Sequence, residues 1–219
     1  MENTNALRQQ FSQVLDEIRH DVVRMGTRAN ELVKHATEAA LNGDLELAEQ
    51  VIRNDDEIDL YEEVIHKRAV LTVMQEAPVA ADFRFLVSAM GVVGEIEKAA
   101  DDAVKLARRA TKLSGQFPAE LRVALVELGE ESRKMFNAAL RLFAEYSPEL
   151  ALEIISADKE VDTRYTTARN RVIDMIRENP ENSENLVRTI DSFHALEHIA
   201  DHAVEIARRM RMLYEARPS

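Results

Sequence analysis

The chain has no cysteine and no tryptophan, and its 219 residues include only six glycines and five prolines. Without thiols it can form neither a disulfide nor a zinc–thiolate site, and cysteine nucleophiles are excluded; a reducing compartment fits. No glycine-rich phosphate loop and no Gly-x-Ser-x-Gly elbow is present, so nucleophilic catalysis finds no support. No uninterrupted apolar run approaches the roughly 20 residues of a membrane span. The opening Met1-Glu2-Asn3-Thr4-Asn5-Ala6-Leu7-Arg8 has no apolar signal core. A cytoplasmic protein with no membrane span is therefore expected. Positive charge is also short: 28 Lys and Arg stand against 40 Asp and Glu, a formal net charge of −12. With no basic patch, nucleic acid is excluded as a partner on electrostatic grounds, and anionic ligands are poorly attracted. Cations and basic protein surfaces suit this chain better.

What the chain has in abundance is Ala, Leu, Val, Glu, Arg and Asp, a composition that favours an all-α protein. Six long helices are predicted. The first runs from about Asn5 to Leu41, with Leu7, Phe11, Val14, Leu15, Ile18, Val22 and Met25 at helical spacing. Gly43 stops it and Asp44 offers an N-cap for a second helix that ends at Pro78. The third spans about Val79 to Leu113 and the fourth about Pro118 to Tyr146. Ser147-Pro148 starts the fifth, Ser as N-cap and Pro at the first helical position, and it ends near Pro180. The sixth runs from about Ser183 to Tyr214.

The sequence repeats. Glu197-x-x-x-Asp201-x-Ala203-Val204-x-x-Ala207-Arg208-Arg209 has a copy 100 positions earlier, where Glu97 answers to Glu197 and Arg109 to Arg209. On the second and fifth helices, Asp55-x-Glu57-Ile58-Asp59 answers to Asp158-x-Glu160-Val161-Asp162. The chain thus reads as two tandem, pseudo-symmetric three-helix bundles, residues 1–114 and 115–219, with the boundary at Ser114-Gly115.

Each unit carries two acid-x-x-x-acid rows, and residues four apart stack on one helical face. An isolated row of this kind is ordinarily a solvated surface. Here Glu197 falls among the apolar Ile190 and Val204, with Asp201 at the edge of that face. Carboxylates near a core need a partner, a bound cation or a raised pKa. Several of them converging favour a hard, oxygen-ligated cation, with salt bridges to Arg or Lys as the structural alternative.

The histidines suggest other chemistry. His194-Ala195-Leu196-Glu197-His198 fits the H-x-x-E-H pattern of zinc peptidases. The first copy has Gly94 and Lys98 in place of the two histidines and keeps Glu97, so the repeat retains the acid only. His202 is read as a solvated histidine pointing away from the apolar stripe. Glu17-x-x-His20 and Glu63-x-x-His66 would suit a ferritin-like di-metal carboxylate protein, for metal storage or oxidation, but neither recurs in the second half. Met135-Phe136 and Leu142-Phe143 are read as core.

Leu196-Glu197-His198-Ile199-Ala200-Asp201-His202-Ala203-Val204-Glu205-Ile206-Ala207 resembles the L-E-R-I-G-D-x-A-x-N-I-A signature of PhoU-type phosphate-uptake regulators. The segment Ile96 to Ala107 resembles it less closely, and Pro78-Val79-Ala80-Ala81-Asp82-Phe83-Arg84 is similar to the opening of that family's third helix. The resemblance implies two three-helix bundles, metal ions on acid-x-x-x-Asp motifs, and a cytoplasmic homodimer without a reaction of its own. It further implies action between the ATPase-driven phosphate ABC transporter and a sensor histidine kinase, restraining the starvation response when phosphate is plentiful. Carried over, the metal candidates are Glu97, Asp101, Glu197 and Asp201, then Asp55, Asp59, Asp158 and Asp162. Carboxylate ligation suits Mg or Mn, with Fe or Zn as further divalent or trivalent choices. The motif glycine is Ala100 and Ala200 here, and the motif Asn is Lys105 and Glu205. Lys105 is expected to neutralise Asp101, and Glu205 to add an oxygen ligand, so stronger metal binding is expected in the second bundle.

Overall fold

The computed structural model describes residues 2–76, 78–113 and 116–215, and shows six long α-helices with no strand among them. They are α1 (Glu2–Asn42), α2 (Leu45–Glu76), α3 (Ala80–Leu113), α4 (Arg122–Ala144), α5 (Pro148–Glu178) and α6 (Ser183–Glu215). The expected punctuation operates. Gly43 takes a positive φ of 65°, the left-handed conformation that a residue without Cβ adopts at least cost. The Asp44 carboxylate accepts from the Leu47 amide at 3.0 Å, and the Ser147 hydroxyl from the Leu150 amide at 3.2 Å. One start differs. Residues Ala119–Leu121 form a 3₁₀ turn, closed by the Leu121 amide on the Pro118 carbonyl, so α4 begins three residues later than Ala119. Ser114 and Gly115, the predicted boundary, lie outside the described residues.

Helices α1, α2 and α3 pack on one another, as do α4, α5 and α6; α3 against α6 and α1 against α4 join the two groups. Burial shows which helices are central. Sixteen residues of α3 and thirteen of α6 are buried, against six of α2 and five of α5. The outer helices thus bury a single stripe, while α3 and α6 are covered on most sides and form the middle of the molecule. One continuous apolar cluster crosses both groups, through Met25, Ile58, Leu86 and Ile96 to Phe136, Phe143 and Phe193. Met135, Phe136, Leu142 and Phe143 are core, as the sequence suggests.

The α1–α4 crossing depends on missing side chains. A Cβ at Gly26 would come within 2.2 Å of Leu140 Cδ2, and one at Gly129 within 3.0 Å of Thr37 Cγ2. At the other junction, Glu95 meets Arg209 while Asp102 meets His202, so α3 and α6 run antiparallel. A stacked pair, Tyr146 on Tyr214 with ring centroids 4.1 Å apart, fastens the end of α6 to the α4–α5 turn.

Candidate metal centres

In the first half, α2 offers Asp55 and Asp59, and α3 offers Glu97 and Asp101. Their charges act on one another. Burial, then Asp59 and Asp101, push the Asp55 carboxyl up to about 6, with Arg108 opposing. Glu97 is raised by burial and by Asp101, Glu62, Asp59 and Asp55. Glu62 was absent from the sequence-derived set, although Asp55, Asp59 and Glu62 recur at one helical spacing on α2.

The second half repeats the arrangement with α5 and α6. Burial, then Asp201, Asp162 and Asp158, lift Glu197 to about 7. Asp158 is raised by burial, Asp162 and Asp201, and Asp201 by burial and Asp162, against the lowering effect of His198, His202 and Arg208. All eight core candidates therefore fall into two groups of four, each with one arginine, Arg108 or Arg208, as nearby counter-charge. Buried Asp158 Oδ1 and Glu197 Oε2 have no hydrogen-bond partner. Unpaired carboxylate oxygens among like charges are donors that a hard cation takes, and both of them belong to the second group. Ala100 and Ala200 are fully buried, so the signature glycine is replaced by the next smallest residue.

Two readings from the sequence, of Lys105 and of His202, need correction. Lys105 donates to Asp102 at 2.9 Å, three residues away, rather than to Asp101. Its charge nevertheless acts on Asp101 as well. Glu205 pairs with Arg208 on its own helix. It also lines a cleft of about 480 Å³ with Asp158 and Asp201, where an added oxygen ligand is expected. Of the two reasons for ranking the second bundle above the first, the Lys105–Asp101 pairing is replaced by Lys105–Asp102, while Glu205 does stand beside the second acidic group. His202, expected in solvent, is mostly enclosed. Its Nδ1 lies 3.0 Å from Glu95 Oε2 and its Nε2 3.3 Å from Asp102 Oδ2.

Those two carboxylates are each only 3% exposed and form a charged seam between α3 and α6. Glu95 also accepts from Arg209 at 3.0 Å and Lys98 at 3.3 Å. Burial opposes the His202 imidazolium, but hydrogen bonds to Asp102 and Glu95 prevail and raise it to about 9. The hydrogen bond to His202 outweighs burial at Glu95, and with Lys98 and Arg209 holds its carboxyl at about 2. A signal was available: Val92, Glu95, Ala99, Asp102 and Leu106 share the stripe of α3 that faces inward.

The ferritin-like ligand set does not converge. Glu17 is exposed and bonded to Arg68, His20 is exposed and bonded to the Asp16 carbonyl, and Glu63 faces out. His66 reaches the Met90 carbonyl. By contrast His194, Glu197 and His198 do come together, each with a ligand atom within 4.8 Å of the others.

The family model described as the PhoU domain matches residues 22–110 and again 125–210. The chain is 33% identical over 206 residues to the phosphate-specific transport system accessory protein PhoU homolog of Pseudomonas aeruginosa, covering 93% of this chain and 85% of that protein. It is 27% identical over 197 residues to the corresponding accessory protein of Escherichia coli, covering 90% and 82%. The crystal structure of PhoU from Pseudomonas aeruginosa superposes with a TM-score of 0.89 at 31% identity, covering 94% of this chain and 100% of that one. PhoU from Streptococcus pneumoniae, at 23% identity, shares the fold with a TM-score of 0.87 over 94% and 98%.

Proposed function

The chain belongs to the PhoU family, and from that membership we propose that it is a non-enzymatic accessory regulator of phosphate-specific transport in the cytoplasm. In this reading it restrains the phosphate ABC transporter through its ATPase subunit and represses the starvation response of a sensor histidine kinase when phosphate is plentiful. No described helix is long and apolar enough to cross a membrane, so contact with the transporter runs through its exposed portions. The observation that carries the reading is that both family-matched halves hold an acidic group at equivalent places, on α2–α3 and on α5–α6.

Asp55, Asp59, Glu97 and Asp101 would hold one divalent or trivalent ion, such as Mg, Mn, Fe or Zn. Asp158, Asp162, Glu197 and Asp201 would hold another, with Glu205 at the rim. A bound ion supplies positive charge that relieves the repulsion within each group and turns an acidic face into a rigid docking surface. An exposed apolar row on α2, Leu60, Val64, Leu71 and Met74, supports pairing into a homodimer.

Deletion of the gene, with a phosphate-starvation reporter read at high phosphate, tests the proposal. Expected is a reporter switched on without the protein and switched off again on complementation. A reporter unchanged by deletion refutes the regulatory role.

A further inference from the structure

We propose that His194, His198 and Glu197 form a nitrogen-containing site for a borderline transition ion, Zn²⁺ being the type case, at the rim of the second acidic group. The site shares Glu197 with the second oxygen-only group, adds two nitrogen donors that the group lacks, and has no counterpart in the first half. His194 and His198, four apart on α6, present both imidazoles to one side, with Glu197 between them. Both Nε2 atoms lie 3.9 Å from Glu197 Oε2, the oxygen that has no hydrogen-bond partner. Ligands around a tetrahedral zinc, with Zn–N of about 2.05 Å, sit roughly 3.3 Å apart, so each histidine must approach Glu197 by about half an ångström, and the two rings, whose ligand atoms lie within 4.8 Å of each other, must turn towards one another. The two imidazoles are 46% and 42% exposed and have room to rotate that far.

The surroundings hold the rings in a ligating pose. His198 Nδ1 faces Asp102 Oδ2 at 3.6 Å, which leaves Nε2 on the Glu197 side. A carboxylate behind the second ring nitrogen is how metal-binding histidines are oriented. His194 is stacked on Tyr165, ring centroids 5.7 Å apart at 24°. Three protein ligands leave a fourth position for water or for a donor from a partner. In the first half the equivalent positions are Gly94 and Lys98, and the Lys98 ammonium is bonded to Glu95. One nitrogen-ligated ion per chain is therefore expected, and it draws Glu197 from the second acidic group.

The test uses the full-length, metal-free protein titrated separately with Zn²⁺ and Mn²⁺ by calorimetry, as wild type, His194→Ala and His198→Ala. Both histidines are on the surface, so the variants keep their fold, which a circular dichroism melt checks. Each variant should bind Zn²⁺ at least about tenfold more weakly, with Mn²⁺ binding unaltered. Co²⁺ should give visible absorption bands of a nitrogen-ligated ion in the wild type alone. Zn²⁺ affinity unchanged in both variants, or Mn²⁺ affinity falling in step with Zn²⁺, overturns the proposal. The phosphate reporter is a separate readout, so this site and the regulatory role fail independently.

Discussion

Replacing Glu197 by Gln should make the metal-free protein more stable at neutral pH while removing its gain from metal. Glu197 ordinarily titrates at 4.5 and is lifted to about 7, first by burial and then by Asp201, Asp162 and Asp158. A carboxyl raised in the fold contributes stability that is complete below 4.5 and is lost as pH rises through about 7. At about 1.4 kcal/mol for each pH interval between the two values, ionising it at pH 8 costs the fold up to about 3 kcal/mol, and roughly 2 once partial solvent screening is allowed for. The isosteric amide escapes this cost. For a chain of this length the change corresponds to a melting temperature about 4–8 °C higher. Scanning calorimetry in chelator at pH 8 should show that rise, and at pH 4.5 the two proteins should melt together. In excess Mn²⁺ the order should narrow or reverse, because the wild type alone gains a full set of carboxylate ligands. An amide variant that melts lower than wild type in chelator at pH 8, or that gains as much from Mn²⁺, would refute the reasoning.

The α3–α6 seam has its own pH window. His202, raised from 6.5 to about 9, contributes stability that is complete below 6.5 and lost as pH rises through 9. Glu95, lowered from 4.5 to about 2, contributes above 4.5 and loses it as pH falls towards 2. His202→Ala should therefore cost on the order of 3 kcal/mol by urea denaturation at pH 6 and about 1 kcal/mol or less at pH 10; equal losses at both would contradict the ion-pair account. Gly26→Val should cost about 1–3 kcal/mol, because Leu140 already fills the space. A urea midpoint indistinguishable from wild type would mean that α1 and α4 do not approach so closely. Ser147→Ala should lose about 1 kcal/mol, read in the same way, through the missing cap on the Leu150 amide.

The six helices and most of their ends were legible because each signal is local. Apolar spacing marks the buried stripe, Gly43 and Pro148 mark ends, and Asp44 and Ser147 reach amides three residues away. The two acidic groups were legible through the repeat, which picked Glu97 and Asp101 out of 40 acidic residues. The seam was not, because Glu95 and His202 stand in different halves and nothing local names the partner. Lys105 shows the same limit at short range. It stands four residues from Asp101 and three from Asp102, both geometries that a helix permits. Asp102 is buried and Asp101 exposed, and that difference, invisible in the sequence, decides which carboxylate takes the ammonium.

Asp102 and His202 occupy equivalent places in the two repeats, so at this point the molecule meets its own counterpart. Two identical subunits related by a two-fold axis must present the same residue from both sides of that axis. Aspartate would then oppose aspartate. Joined in one polypeptide, the halves are free to differ there, and an acid faces a cation at 3.3 Å in the interior. The fused chain thereby secures a heterodimer's complementarity with no choice of partner to make. It also loses interchangeability: a tandem of two first halves would bring a pair of buried carboxylates face to face at its centre.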